Sequence, residues 1–224
     1  MLLLAADTSG RNGSIALARG QAKGVCEVIE VVPLAGGTFS AQLIPQIAAL
    51  LAKHGYSKND IGGFVVASGP GSFTGLRVGL AAIKGLAEIL EKPLAAVSLL
   101  EAVAVASLLQ GRVVTALDAG RGDVYVGEYE IASDSATLIS ERLMGKNEAL
   151  AAAKGAKLVT SEKAFAECAR TSGLPVVVID AVDAGIIAPV GWRKIEAGDT
   201  VLPDQLDANY IRRSDAEIFS KSSS

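Results

Sequence analysis

The chain has 224 residues, half of them hydrophobic but only 4 % aromatic, with 21 basic against 24 acidic side chains. This length permits one domain or two small ones around an aliphatic, alanine-rich core, and the composition argues against disorder except at the serine-only end, 222–224. The net charge of −3 argues against a chain that grips RNA by itself, since such binding rests on a basic face that neutralises phosphates.

Residues 2–6 read as a short apolar strand that meets Asp7 at once, a buried strand and not a secretory leader. Asp7 to Gly13 is dense turn chemistry, followed by strands over 14–19 and 25–32. A helical pattern over 40–54 places Leu43, Ile47, Leu50 and Leu51 on one face, with Ser40 as its N-cap and Pro45 in its early turns or kinking it. The longest uncharged run, 31–52, is broken by Pro33, Gly36-Gly37 and Pro45, which does not describe a membrane span, so the chain is placed in the cytoplasm. The only histidine, His54, precedes Gly55 at the helix end, a position that faces the helix dipole and not a metal. No His or Cys pair has ligand spacing, so no metal site is expected, and Cys26 and Cys168 read as ordinary reduced thiols.

A strand over 63–67 then leads into Ser-Gly-Pro-Gly-Ser-Phe-Thr-Gly-Leu-Arg at 68–77 and a helix over 74–90. Unpaired N–H groups and the macrodipole at such a junction suit an anion or a close backbone contact. The glycines Gly69, Gly71 and Gly75 do not have dinucleotide spacing, and no Gly-Lys-Ser/Thr follows. An equal alternative is that Gly75 and Gly79, one turn apart, let the helix pack closely on a neighbour. On this helix Arg77, Lys84, Glu88 and Glu91 form one narrow polar stripe. Gly75, Leu76, Gly79, Leu80, Ile83 and their apolar neighbours cover nearly all the rest, more than one core contact requires.

A strand over 94–97 and an alanine-rich helix over 99–109 close the first half. The second half opens the same way, with a strand over 113–117, a turn over 118–123 and strands over 124–131 and 137–142. Leu4-Ala5-Ala6-Asp7 aligns with Thr115-Ala116-Leu117-Asp118, and both precede a Gly-Arg turn, which suggests an internal duplication. Helices over 147–153, 162–172 and 183–196, the last bent or broken by Pro189, alternate with strands over 157–160 and 176–179. The chain then runs extended through Arg212 and Arg213 into a polar tail. The order is that of an α/β fold with mixed sheets, divided near residue 110 into subdomains 1–110 and 111–224.

The 68–77 stretch closely resembles the TsaB (YeaZ) family, together with Asp7-Thr8-Ser9, Ser98-Leu99-Leu100-Glu101-Ala102, Ala116-Leu117-Asp118-Ala119 before Arg121-Gly122, and Asn209-Tyr210-Ile211-Arg212. The chain departs from that pattern at Phe39, where histidine is common, at Gly120, where arginine is, and at Asp123, where glutamate is. The resemblance implies a duplicated actin-like ATPase (ribonuclease H-like) fold. It also implies a role with TsaD and TsaE in threonylcarbamoyl modification of the adenosine beside the anticodon of tRNA. TsaD holds its metal through paired histidines, which a chain with one histidine cannot reproduce, and no His-Glu-x-x-His motif supports the older glycoprotease label. The expected role is thus a non-catalytic scaffold that meets tRNA only through the complex and forms a homodimer when alone.

The resemblance places the partner surface on the helices over 40–54 and 74–90, with Ser40, Leu43, Ile47, Gly69, Gly71, Ser72, Phe73, Thr74, Gly75, Arg77, Gly79, Leu80 and Ile83 as interface and signature-loop residues. On this expectation Gly79→Leu blocks pairing. Tightly bound cofactors are not expected, and ATP or ADP is admissible at the junction with the partner. The competing reading is a small-molecule kinase or ATPase of the same fold, with Asp7, Thr8, Ser9, Asp118 and Arg121 contacting phosphate.

Overall fold

A computed structural model describes residues 1–133 and 135–211. Arg212, Arg213 and the serine-only end lie outside the described residues. The described residues form two compact units, Met1–Ala102 with Val182–Ala208, and residues 103–181 with 209–211. The single boundary near residue 110 does not describe this, because the chain returns to the first unit at Val182.

In the first unit three antiparallel strands, β1 (Leu2–Asp7), β2 (Gly13–Gly20) and β3 (Cys26–Leu34), precede α1 (Phe39–Lys53), β4 (Ile61–Gly69), α2 (Phe73–Leu90) and β5 (Leu94–Ser98). The sheet order is β3-β2-β1-β4-β5, with β1, β4 and β5 parallel, as strands joined by helical crossovers must be. Alternation along the strands divides the core. Leu4, Ala6, Phe64 and Val66 face Leu43, Ile47, Leu50 and Leu51 of α1 and Leu76, Leu80 and Ile83 of α2. Each such large aliphatic side chain stabilises the unit by about 1.5–3 kcal/mol. The opposite face receives α6 (Ala184–Ala197), where a Cβ on Gly191 would lie 2.3 Å from Val65 Cγ1. Only glycine allows that approach.

The second unit repeats the pattern with β6 (Gly111–Gly120), β7 (Asp123–Ala132), β8 (Ser135–Gly145), α4 (Lys146–Ala152), β9 (Lys157–Thr160), α5 (Lys163–Thr171) and β10 (Val176–Val178). Its order, β8-β7-β6-β9-β10, is that of the first sheet, strand for strand. Val114, Ala116, Val124, Val126 and Leu158 pack on Ala149 of α4, Ala153 just after it, and Phe165 and Ala169 of α5. Between the units in sequence runs α3 (Leu99–Ala106). The duplicated actin-like α/β fold is therefore what the chain forms.

Several expected boundaries move for local reasons. Thr38, not Ser40, is the N-cap of α1, and Ser40 lies exposed inside the first turn. The turn over 118–123 shrinks to Arg121-Gly122, because Asp118 pairs with Val124 and Gly120 with Asp123 across a bulged ladder. Helix α6 runs through Pro189 without interruption, capped by Asp183, whose Oδ1 accepts from Ile186 N at 3.0 Å. Among the described residues no helix is long and apolar enough to cross a membrane.

Candidate functional site

The signature loop is built by backbone meeting backbone. Strand β4 ends at Gly69, whose φ of +115° lies in a region that favours glycine, and the Gly69-Pro70 peptide is cis. Ser72 caps α2, its Oγ accepting from Gly75 N at 3.3 Å, while Ser72 N donates to Ser9 O at 2.6 Å. Thr8 Oγ1 donates to Gly75 O at 2.7 Å. A Cβ on Gly71 would lie 2.5 Å from Ser9 O, one on Gly75 2.1 Å from Thr8 O, and one on Gly79 2.4 Å from Thr8 Oγ1. The glycines four residues apart therefore form an internal seam against the β1–β2 loop. The same loop is enclosed from its other side, where a Cβ on Gly36 would lie 1.8 Å from Arg11 O and one on Gly13 2.8 Å from Phe39 Cε1. Sequence reasoning missed the second contact, although Gly36-Gly37 was its visible signal. Phe39, a departure from the family pattern, is buried there.

The polar groups of this loop turn inward. Asp7 is only 5 % exposed, and its Oδ1 accepts from both Ser9 N, at 2.8 Å, and Ser9 Oγ, at 2.6 Å. Burial pushes the Asp7 carboxyl above its ordinary value of 3.8, the two Ser9 bonds oppose that rise, and the charge of Asp183 adds to it. Thr8 and Ser9 are buried as well. The structure brings Asp7, Thr8 and Ser9 together with Gly71, Ser72, Gly75 and Gly79, and the Thr8 and Ser9 hydroxyls already donate within the chain. In the second unit Asp118 and Arg121 are exposed, Arg121 at the hairpin tip with φ +58°. Burial raises the carboxyl of Glu162, with the charge of Asp118 adding to the rise and a hydrogen bond from the Asp118 backbone opposing it.

The expected interface residues divide into two sets. Leu43, Ile47, Leu80, Ile83 and Gly79 are buried in the core of their own unit, so they are not a contact surface. The resemblance gave them to the partner surface, and their burial gives them to the chain's own core. Gly79→Leu would strike Thr8 of the same chain before it met any partner. What faces outward is a second stripe, with Ile44 (48 % exposed) and Ala48 on α1 and Thr74, Ala81 and Ile89 (76 % exposed) on α2, flanked by the half-buried Val78 and Gly85. At its start the Arg77 guanidinium stacks 3.6 Å over the Phe73 ring. His54 caps α1 at its C-terminal end, Nε2 lying 2.7 Å from Glu30 Oε2, and Lys53 Nζ reaches Glu30 Oε1 at 2.7 Å. Among the described residues no group of three or more His, Cys, Asp or Glu gathers to hold a metal ion.

Comparison with known proteins gives this geometry its relatives. The profile of the family described as TsaD, tRNA N6-adenosine threonylcarbamoyltransferase, matches residues 31–186, more than two thirds of the chain. The tRNA threonylcarbamoyladenosine biosynthesis protein TsaB of Bacillus subtilis (strain 168) is 36 % identical over 131 residues, 58 % of this chain and 56 % of that protein. The match thus spans little more than half the length of that relative. The protein of the same description from Escherichia coli (strain K12) is 26 % identical over 185 residues, 76 % of this chain and 79 % of that one. Among solved structures, an uncharacterized Pseudomonas aeruginosa protein with similarity to peptidase YeaZ superposes with a TM-score of 0.75 at 25 % identity, covering 94 % of this chain and 99 % of that one.

Proposed function

Because the chain belongs to the TsaD-related threonylcarbamoyltransferase family, in its TsaB (YeaZ) branch, we propose that it takes part in threonylcarbamoyladenosine formation in tRNA as a non-catalytic subunit. It binds a TsaD protein, acts with TsaE, and positions or activates the catalytic partner in the cytoplasm. The carrying observation is a contrast within one element. The start of α2 turns its polar loop inward onto Thr8 and Ser9, while further along α2 Ala81 and Ile89 face outward. A site arranged for chemistry would present polar groups to its substrate, and a site arranged for docking presents small and apolar ones.

The same contrast weighs against the kinase or ATPase reading. Thr8 Oγ1 and Ser9 Oγ, the hydroxyls nearest to a phosphate at this loop, are donors to Gly75 O and Asp7 Oδ1. Any ATP or ADP is held at the junction with the partner, and tRNA is met only through the assembled complex. The test is depletion of the protein in its own host, followed by nucleoside analysis of bulk tRNA. Threonylcarbamoyladenosine is expected to fall and to return on re-expression. An unchanged level after depletion removes the proposal.

A further inference from the structure

Asn12 and Gly13 are the chain's one Asn-Gly pair, and they end the β1–β2 loop that is clasped between α2 and Gly36. The glycine is imposed by space. A Cβ on it would lie 2.7 Å from Asp7 O and 2.8 Å from Phe39 Cε1, so no larger residue can follow Asn12 without displacing main chain. The asparagine, by contrast, is held by nothing. It is exposed, and among the described residues none hydrogen-bonds to its side chain. Gly13 is also the terminal pair of its ladder, opposite Leu34 of β3, while pairing with β1 begins only at Ser14, opposite Asp7. Opening that single end pair frees the Gly13 nitrogen, and end pairs open at small cost.

An unhindered glycine nitrogen beside a free asparagine amide is the arrangement in which asparagine modifies itself. We propose that Asn12 converts through a succinimide to aspartate and isoaspartate, and that the isoaspartyl product releases the start of α2. Gly13 N bonds to Asn12 Cγ, and Nδ2 leaves as ammonia with the proton of Gly13 N. Water then opens the ring. Cleavage of the bond to Cγ restores the ordinary chain with a carboxylate at position 12, and cleavage of the bond to the main-chain carbonyl carbon gives isoaspartate. The second product places Cβ and Cγ in the main chain and lengthens it by about 1.5 Å. The loop has no room for that length. Ser9 O accepts from Ser72 N, Thr8 Oγ1 donates to Gly75 O, and on the far side Gly36 passes Arg11 O too closely for a Cβ. Strand β2 is fixed between β1 and β3, so the loop is the part that yields. The other asparagines, Asn59, Asn147 and Asn209, precede Asp60, Glu148 and Tyr210, whose side chains hinder ring closure.

The experiment incubates the whole chain in warm, mildly alkaline buffer. Each asparagine is followed by peptide mass, isoaspartate by methylation with an isoaspartyl methyltransferase, and the fold by thermal melting. Asn12 is expected to convert ahead of Asn59, Asn147 and Asn209, and faster at pH 9 than at pH 7, because the attacking nitrogen must shed its proton. Chains with isoaspartate at position 12 melt about 4–8 °C lower, the shift that follows from losing the two bonds that hold the loop on α2. Freshly purified Asn12→Asp has the new charge without the rearranged chain, and it melts within about 1–2 °C of the wild type. Asn12→Ser keeps its melting temperature throughout the incubation. An Asn12 that stays intact, isoaspartate at position 12 with no loss of melting temperature, or a fresh Asn12→Asp that melts as low as the converted wild type overturns the proposal. These readouts involve neither partner nor tRNA, so their failure is distinct from a failure of the functional reading.

Discussion

The two units repeat one topology, yet their corresponding junctions are made in different ways. In the first unit the β4–α2 connection is Gly69-Pro70-Gly71-Ser72 and the helix that follows has 18 residues; in the second, Ser161 and Glu162 join β9 to an α5 of nine residues. The first junction is held by backbone from the β1–β2 loop pressed onto α2. The second is held by one hydroxyl, since Thr160 Oγ1 donates to Ala116 O at 2.7 Å and accepts from Glu162 N at 3.0 Å. Glycine serves the two units for different reasons. Gly71, Gly75 and Gly79 are glycine because there is no room for a Cβ, whereas Gly120 and Gly122 have open space and positive φ, +71° and +89°. A duplicated fold can thus keep its sheet order while one copy develops a long helix and the other a short one with an exposed hairpin.

Substituting alanine for glycine in each unit is the most severe test of that contrast. Gly75→Ala forces a Cβ within 2.1 Å of the Thr8 carbonyl oxygen, and backbone on both sides prevents relaxation. A loss of roughly 3 kcal/mol or more is expected in urea unfolding. Gly122→Ala meets no atom and suffers only left-handed strain, about 1–2 kcal/mol. Equal losses would show that space does not distinguish the junctions. A smaller effect is expected from Thr8→Val, which keeps the shape of the side chain but leaves the Gly75 carbonyl without its donor, a loss of about 1–2 kcal/mol in the same measurement. A neutral Thr8→Val would mean that close packing alone fixes the start of α2.

These distinctions mark what the sequence made legible. The succession of elements and the duplication were readable because β-branched and aliphatic runs alternate with helical periods, and because Asp7 and Asp118 both lie near the end of the first strand of a hairpin. The motif from Gly69 to Arg77 was readable as a family signature, and the glycine seam was readable as a close approach, though not to which neighbour. Which side of α2 is buried was not readable. Leu80 and Ile83 are as apolar as Ile89, and only the placement of the sheet decides that the first two are covered and Ile89 is not. The return of α6 to the first unit was equally hidden. It depends on Gly191 admitting Val65, two residues 126 positions apart with no local signal joining them.

The finest comparison is between the aligned aspartates, because Asp7 is buried and Asp118 is exposed. For Asp7 the sign follows from the direction of its shift. Its folded-state pKa is raised above the ordinary 3.8, chiefly by burial, so the folded chain keeps a proton over a pH interval in which the unfolded chain has released it. The folded state gains stability from this group below pH 3.8 and loses it as pH rises through the raised value. Asn at position 7 does not titrate, and its Oδ1 can still accept both Ser9 bonds. Asp7→Asn is therefore expected to be at least as stable as the wild type at pH 7, with the difference shrinking as pH falls toward 3.8, other carboxylates cancelling between the two proteins. Paired urea titrations across that range measure the difference directly. A variant less stable than the wild type at pH 7, with a deficit that disappears in acid, would mean that the Ser9 hydrogen bonds outweigh burial. The loop would then hold a stabilised negative charge.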